Sequence, residues 1–563
     1  MGKTIQPMEE TANFSSKHQW LAELDIRQWD LSRGVVVGAI AFWTIVLSLL
    51  IHRHFSMYPS YASFDQGIFN QVFWNGVHGR PFQSSLSSTL STPVVHDGQL
   101  PEVSYHRLGQ HFTPALLLWH PIYALVQSPV TLLVLQISII TLSGLILYRL
   151  ARQHLDRPKA TLITLGFYCA NTVIGPSLAN FHDLCQVPLF TFSLFLAFEK
   201  RWRWAYWIFA VLLLMVREDT GIILFSIGIY WIVSRRAIGL GIGTCIVSMG
   251  YVLLLTNLVM PIFSEDISRR FMIEQFAPYV DGNEATTLDV IWGLLTHPGQ
   301  LISDIVNPVD RTLKYLLAHW LPLALIPAVS PAAWLLNAFP LLKLFIRDDS
   351  TALAVNLRYA LTLVPGFCYG AILWWSAHPQ SFNRWFRRFW IGCLGLAVIF
   401  TLTSNPNRAL SFAVPDSVTP RVYISPARQW QHVATIRSFM AEIPDDASVS
   451  TTTHIAPHLS SRREIVRFPK VRLVNDRQKK IRVDYILVDL WQLQQYQVAF
   501  ADDRDRLRQM LPQVEKWVER KPYGLVGFKD GVAFLQKRAK TSDIAYESWI
   551  EFKQGVENSR EAV

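Results

Sequence analysis

The sequence predicts a polytopic α-helical membrane protein of about eleven spans that ends in a soluble α/β domain. Three observations predict it. Of the 563 residues, 51% are hydrophobic, including 33 Phe and 20 Trp. Residues 34–402 break into apolar runs near the roughly 20 residues that a helix needs to cross a bilayer. Residues 403–563 are instead rich in charge and alternate helical with strand-like periods.

The elements follow in chain order. Residues 1–33 read as a cytoplasmic segment, too polar and too mixed in charge for a signal peptide. The first apolar run, GVVVGAIAFWTIVLSLLI at 34–51, has no small-residue cleavage pattern after it and reads as a retained span. The other expected spans are 129–150, 160–178, 183–198, 204–216, 219–233, 238–262, 313–329, 331–346, 359–377 and 388–402. A further stretch, FTPALLLWHPIYALV at 112–126, is short and carries Pro114 and His120-Pro121.

The positive-inside rule decides where 112–126 lies. With Lys17, Arg27 and Arg33 inside, four basic clusters must be placed: Arg149/Arg152/Arg157/Lys159, Lys200/Arg201/Arg203, Arg235/Arg236 and Arg384/Arg387/Arg388. All fall inside only if 112–126 does not cross. The outer loop 52–128 is then expected to carry interfacial helices. The multi-span domain covers 34–402, and everything after it is outside: a linker at 403–425, an extracytoplasmic α/β domain at 426–540 and a tail at 541–563.

In the α/β domain, QWQHVATIRSFMAEIP reads as a helix with Val433, Ile436 and Met440 on one face. ASVSTTT, EIVRF and VDYILVDL read as strands, HIAPHLS as a short helix and DRDRLRQMLPQVEKWV as a longer one. YGLVGFKDGVAFLQ is a hairpin turning at Lys529-Asp530-Gly531. No phosphate-binding glycine motif is present. Between Arg462 and Arg482 nine residues are basic and two acidic, which suits a solvated face or docking on anionic lipid or substrate.

Composition excludes several classes. The formal net charge is +10, spread over loops and tail, where it orients and solvates the chain. No nucleic-acid motif stands out, and none is expected as a partner. Cys169, Cys185, Cys245, Cys368 and Cys393 all lie in apolar segments, without the spacing of a disulfide framework or thiolate metal site.

The polar residues that look out of place collect on the outer side. Asp65, His106 and His111 fall in the first outer loop, His182 and Asp183 in the second, and Arg217, Glu218 and Asp219 in the third. Asp348, Asp349 and Arg358 fall in the last. Asp65 shares a helical face with Ile68, Phe69 and Val72. It can cap the helix that follows, or act as a general base at lipid-headgroup height. The cluster Arg217-Glu218-Asp219 lies between short apolar arms. It reads as an ion pair joining two helices, as the wall of a polar recess, or as both. His106 and His111 can contact phosphate, join an acid on a divalent cation, or bond the loop backbone. Their spacing matches no specific metal motif. A lipid phosphate needs cations beside it, and Arg217, Arg358 and the histidines are the ones available outside.

The stretches FDQGIFNQVFWNGVHGRPF (64–82), HRLGQHFTPALLLWHPIYAL (106–125), NFHDLCQVPL (180–189), VREDTGI (216–222), IPDDASVSTTTHIAPHLSSRREIVRFP (443–469), VDYILVDL (483–490) and YGLVGFKDGVAFL (523–535) carry a resemblance. In these the chain resembles a bacterial family of multi-pass membrane proteins grouped as a domain of unknown function. That family is more distantly similar to the GT-C glycosyltransferases. The resemblance implies a GT-C-like fold in the bacterial cytoplasmic membrane. It also implies transfer of a sugar from a polyprenyl-phosphate-linked donor to an acceptor on the outer face.

Asp65 matches the acid that such enzymes carry after their first span, and Asp183 an acid of the second outer loop. Residues 111–126 match a short outer helix, and Arg358, Tyr359 and Pro365 of RYALTLVP match the opening of a late span. On this reading Asp65 is catalytic, and His106, His111, Arg217 and Arg358 bind phosphate. His182, Asp183, Glu218 and Asp219 support them. The paired acids of some GT-C members are missing and the histidines are more numerous, so the cofactor stays open, with a divalent cation as one option. A transporter or flippase of a lipid-linked intermediate, and a membrane scaffold without activity, are the competing classes.

Overall fold

Ser32 opens the first long helix. Its hydroxyl accepts the Val35 amide at 3.3 Å, and the helix runs Arg33–Ser56. Its length of about 36 Å exceeds the hydrocarbon core of about 30 Å. Val35, Ala39, Phe42, Val46 and Leu50 recur at helical spacing and are buried, whereas Val37, Ile40 and Ile45 are exposed. One face packs on protein and the other is apolar surface fit for lipid.

The computed structural model describes residues 30–60, 62–264, 266, 276–280, 286–347, 351–520 and 522–561. Nearly all of the expected N-terminal segment 1–33, together with Asp348 and Asp349, lies outside the described residues. Among those described, five helices are long and apolar enough to cross a membrane: Arg33–Ser56, Pro129–Ala151, Ile238–Ile262, Arg358–Ala377 and Arg384–Ser404.

The other six expected spans are shorter or broken. The run 160–178 splits at the extended Ala170 into Arg157–Cys169 and Asn171–Ser177. The run 183–198 begins with a tight turn, Asp183–Gln186, before Val187–Glu199. Arg203–Leu214, Thr220–Val233 and Pro331–Phe345 replace 204–216, 219–233 and 331–346. Of 313–329 only Val309–Trp320 forms a sustained helix, because Ala324 and Leu325 turn left-handed at φ 53° and 62°. The count of about eleven spans is thus not confirmed: the described residues hold five long apolar helices and a group of shorter ones. Burial gives the reason. Val187 to Ala197 are buried without interruption, and a helix wrapped in protein need not match the thickness of a bilayer. Backbones touch inside this bundle: a Cβ on Gly228 would meet the Gly241 carbonyl oxygen at 2.9 Å.

Two elements of the loop 52–128, expected to lie outside, differ in their surroundings. Pro114–Trp119 and His120–Leu125 form a short bent helical segment with Leu117, Leu118, Ile122 and Leu125 exposed. That surface fits an interfacial position. Ser63–Val77 does not: eleven of its 15 residues are buried, including Gln66, Asn70, Gln71 and Asn75. The expectation that it is an interfacial helix is corrected, because the C-terminal domain covers the side meant for lipid.

That domain is built on a five-stranded sheet of β1 Val449–Thr451, β2 Ile465–Arg467, β3 Tyr485–Asp489, β4 Tyr523–Lys529 and β5 Val532–Lys537, in spatial order β2-β1-β3-β5-β4. β1 pairs in parallel with β2 and β3; the remaining pairs are antiparallel. Strand alternation splits the sheet into two cores. Leu487 faces the core shared with the membrane helices, together with Val433, Ile436 and Phe534. Ile486 and Val488 face a second core, closed by Leu507 and Val514 of Ala501–Glu519 and by Trp549 of Asp543–Glu561. The separate tail expected at 541–563 is therefore corrected: the chain after residue 540 folds onto the sheet.

The domain is tied to the membrane part at several places, two of which flank the site. Asn70 Nδ2 donates to Ser460 Oγ at 2.9 Å, and Gln71 Nε2 to the Arg462 carbonyl at 3.0 Å. Arg437, Gln429 and Gln492 donate to the carbonyls of Phe55, Ser56 and Met57 at 3.0, 2.7 and 2.7 Å. These are terminal carbonyls of the first long helix, which have no partner within the helix. The domain therefore sits at the end of that helix remote from residue 33.

Candidate active site

Asp65 is the third residue of Ser63–Val77, and no side chain caps that helix. The capping reading is thereby removed. Its Oδ2 instead accepts from Arg358 Nη1 at 2.6 Å, joining two segments 293 residues apart. Both side chains are about three-quarters buried (22% and 25% exposed), so the pair is screened far less than a surface pair.

Arg358 begins the segment Arg358–Ala377, and its neighbour Tyr359 is the hub of a cation cluster. The guanidinium carbons of Arg347, Arg358 and Arg217 lie 4.9, 5.1 and 5.6 Å from the Tyr359 ring centre. These contacts gather three positive groups around one aromatic ring. Arg217 is 2% exposed and Glu218 6%. The turn between Arg203–Leu214 and Thr220–Val233 buries them because its arms are only 12 and 14 residues long.

Acids hold this cluster in place. Arg217 Nε lies 3.3 Å from Glu218 Oε1 and 3.4 Å from Asp219 Oδ1, and Asp219 pairs with Lys343. Glu218 Oε1 lies 2.9 Å from His111 Nδ1, and Oε2 accepts the Phe112 amide at 3.0 Å. Burial pushes the Glu218 carboxyl above the usual carboxylate range. Burial, reinforced by Arg217 and Arg107, holds the His111 imidazole well below its ordinary range. Of the two readings of Arg217-Glu218-Asp219, these contacts are those of the first: ion pairs that join helices.

Asp183 is fully buried beside His182 and feels the charges of Arg107, Arg217 and Arg358. Its Oδ1 accepts the Leu184 amide at 2.9 Å, whereas Oδ2 has no hydrogen-bond partner among the described residues. His182 also packs edge-on against Phe69, 5.1 Å between ring centres. His106 goes elsewhere: its ring stacks on Phe263 at 4.5 Å, and its backbone bridges to Gln83. Among the described residues no group of three His, Cys, Asp or Glu side chains is arranged to hold a metal ion. His106 and His111 thus have different described partners, the Phe263 ring and Glu218.

Four charged residues of the site were missed. Arg107 is buried, donates through Nη1 to Ser87 Oγ at 3.1 Å, and lies 4.7 Å over the Phe69 ring. Lys343 and Arg347 end the apolar run 331–346 and looked like its flank. Arg467 comes from the C-terminal domain and covers Phe64 at 4.9 Å, next to Asp65. Arg107 had a local signal, a cation inside the stretch YHRLGQHFTP; the other three had none.

Two unsatisfied donors stand out. Arg217 Nη1 and Arg358 Nε are buried without a hydrogen-bond partner among the described residues. A buried guanidinium N–H left open is costly.

The profile of the family described as "Predicted membrane protein (DUF2079)" matches residues 53–534. No curated protein matches the chain. Among solved structures, the chain is similar to ArnT from Cupriavidus metallidurans bound to undecaprenyl phosphate, with 11% identity, a TM-score of 0.44, and 92% of this chain and 98% of that one covered. It is also similar to the archaeal oligosaccharyltransferase AglB from Archaeoglobus fulgidus in complex with an inhibitory peptide and a dolichol-phosphate. There the identity is 12%, the TM-score 0.34, and 82% of this chain and 70% of that one are covered. The chain belongs to the DUF2079 family of membrane proteins.

Proposed function

We propose that this DUF2079 member is a membrane glycosyltransferase of the GT-C kind. It would take a sugar from a polyprenyl-phosphate donor and pass it to an acceptor on the outer face. The observation that carries this reading is the buried cation cluster, with the open donors of Arg217 and Arg358 beside the carboxylate of Asp65. Guanidinium N–H groups suit phosphate oxygens, and a carboxylate beside them suits the acceptor hydroxyl.

In the proposed step the bond between the sugar's anomeric carbon and the phosphate oxygen breaks, and its electron pair stays on the phosphate. Arg217 and Arg358 neutralise the charge that develops there. The anomeric carbon bonds to the acceptor oxygen, whose proton passes to Asp65. Arg358 holds that carboxylate in place through the 2.6 Å contact. Arg107, His182, Asp183 and Glu218 fix the surrounding field, and the outward location follows from the expected topology.

The test uses the full chain in lipid nanodiscs with undecaprenyl phosphate as probe. Arg217→Gln should weaken binding at least about tenfold. Asp65→Asn should still bind, while cells carrying it lose the glycan product by about 10²–10⁴-fold in rate. Unchanged binding in both Arg217→Gln and Arg358→Lys would sink the reading.

A further inference from the structure

Two helices follow the long apolar helix Ile238–Ile262 on the side expected to face out: Thr287–Thr296 and Pro298–Val306. Thr286 and Asp289 form a capping box at the start of the first, and Pro298 opens the second. Both are two-sided. On the first, Leu288, Trp292 and Leu295 recur at helical spacing and are exposed, Trp292 and Leu295 by 69% and 70%. On the second, Ile302 and Val306 are exposed one turn apart. An indole and several aliphatic side chains left open together mark a surface that meets something apolar.

The stripe on the first helix cannot turn inwards, because the opposite side is already taken. Val290 is buried there against Phe276 and Val280. Tyr279, from the same supporting segment, donates its hydroxyl to Asp304 Oδ2 at 2.6 Å and so ties down the second helix.

The ends of the pair fix its height. Thr287 Oγ1 lies 2.9 Å from Thr256 Oγ1, six residues before the end of Ile238–Ile262, or about 9 Å along the axis. Leu254, Leu258 and Ile262 are exposed on that helix, so its apolar surface continues past the contact. At the far end Pro308 lines a cavity together with Ser404, the last residue of Arg384–Ser404. The pair therefore runs from the expected outer end of one long apolar helix to that of another. Helices that bind a bilayer surface bury their apolar face about 5–10 Å deep, at the boundary of headgroups and acyl chains. The contact at Thr256 lies at that depth.

Charge narrows the occupant further. Residues 287–306 hold no Lys or Arg. Their two acids are engaged nearby, Asp289 with the Thr286 amide and Asp304 with Tyr279 and Gln300. The segment thus has no cation with which to draw an anionic headgroup. What it offers is an indole among aliphatic side chains, which suits the same boundary.

We infer that Thr287–Thr296 and Pro298–Val306 lie flat in the membrane interface on the expected outer side, with Leu288, Trp292, Leu295 and Ile302 inserted among phospholipid acyl chains. The attachment is apolar and indifferent to headgroup charge. It does not depend on the glycosyltransferase reading.

The experiment uses the parent full chain in phosphatidylcholine nanodiscs whose lipid carries a diazirine in the upper acyl chain. A second sample receives a water-soluble diazirine instead. After irradiation, adducts across 287–306 are located by mass spectrometry. At Trp292 and Leu295 the acyl-chain carbene should exceed the water-borne one by at least about tenfold, as it should at Leu254 and Leu258. Gln300, on the side away from Ile302, should take the water-borne carbene. Exchanging part of the phosphatidylcholine for phosphatidylglycerol, or raising the salt, should leave the pattern unchanged. Water-borne adducts dominating at Trp292 and Leu295 would mean a face open to solvent. Adducts from neither reagent would mean a face covered by protein, a second copy included. Acyl adducts that rise with phosphatidylglycerol would mean an electrostatic contact. Each of these three results would overturn the inference.

Discussion

Raising the pH should loosen the C-terminal domain through His432. Its ring is fully buried, with Nε2 2.8 Å from Asp489 Oδ2 and Nδ1 2.8 Å from Asp530 Oδ2. A carboxylate on each nitrogen calls for the imidazolium. Burial opposes that charge, but Asp489 and Asp530 outweigh it and hold the ring up to about 9, against an ordinary 6.5. The difference, about 2.5 pH units, corresponds to about 3 kcal/mol at about 1.36 kcal/mol per unit. Unfolded, the ring keeps its proton only below about 6.5; folded, it keeps it up to about 9. The contribution is therefore complete below about pH 6.5, falls as pH rises from there, and is gone above about 9. Asp489 is depressed by the same contact seen from its other side, so nothing is added for it. His454, 2.9 Å from Asp489, and Arg428, paired with Asp530, complete the charged surroundings. The assay is hydrogen exchange of the β3 amides in the full chain in nanodiscs, corrected for intrinsic rates, from pH 6 to 9.5. Protection should drop by up to about 3 kcal/mol across that range in the parent. His432→Gln cannot titrate, so it should start lower and stay flat. The same slope in both would refute the assignment.

Three other outcomes are expected. Removing Gln429 and Gln492 together, each to Ala, frees two carbonyls at the end of the first helix. It should lower exchange protection of β3 by about 1–2 kcal/mol; unchanged protection would mean that these contacts do not hold the domain down. Trp549→Ala empties a buried site under the sheet and should destabilise β4 by about 3–5 kcal/mol, read by the same exchange measurement. A small loss would show that Asp543–Glu561 is peripheral. Gly370→Ala puts a methyl 2.4 Å from the Ala333 Cα, where the backbones of Pro331–Phe345 and Val364–Ala377 touch. It should cost about 1–3 kcal/mol and lower the thermal midpoint in detergent; an unshifted midpoint would contradict the close approach.

The C-terminal domain was largely legible in the sequence. Its strands alternate, its helices show their own period, and Asp530-Gly531 marks the hairpin, so local signals sufficed. The spans were less legible because hydropathy records how apolar a segment is, not what surrounds it. Val187–Glu199 is as apolar as a lipid-facing helix, yet it is enclosed by protein. The site was half visible. Asp65, Arg217, Glu218 and Arg358 stood out as charges in apolar surroundings, which is a property of the sequence. The contact between Asp65 and Arg358 bridges 293 residues, and that between Asp219 and Lys343 bridges 124. No local pattern encodes such pairings, so Lys343 and Arg347 looked like the end of a span. His106 was misplaced for the same reason: its partner, the Phe263 ring, is 157 residues away.

The bonds at Phe55, Ser56 and Met57 impose an order on synthesis. The first long helix is made early, yet Gln492, which satisfies the Met57 carbonyl, lies 435 residues downstream. At about 5–20 residues per second, about 20–90 s pass before that donor exists. Throughout this interval the helix stands with its terminal carbonyls open, and Ser63–Val77 lies uncovered with Asn70 and Gln71 unbonded to the later chain. Any ribosome that stalls before the α/β domain leaves this half-built edge exposed.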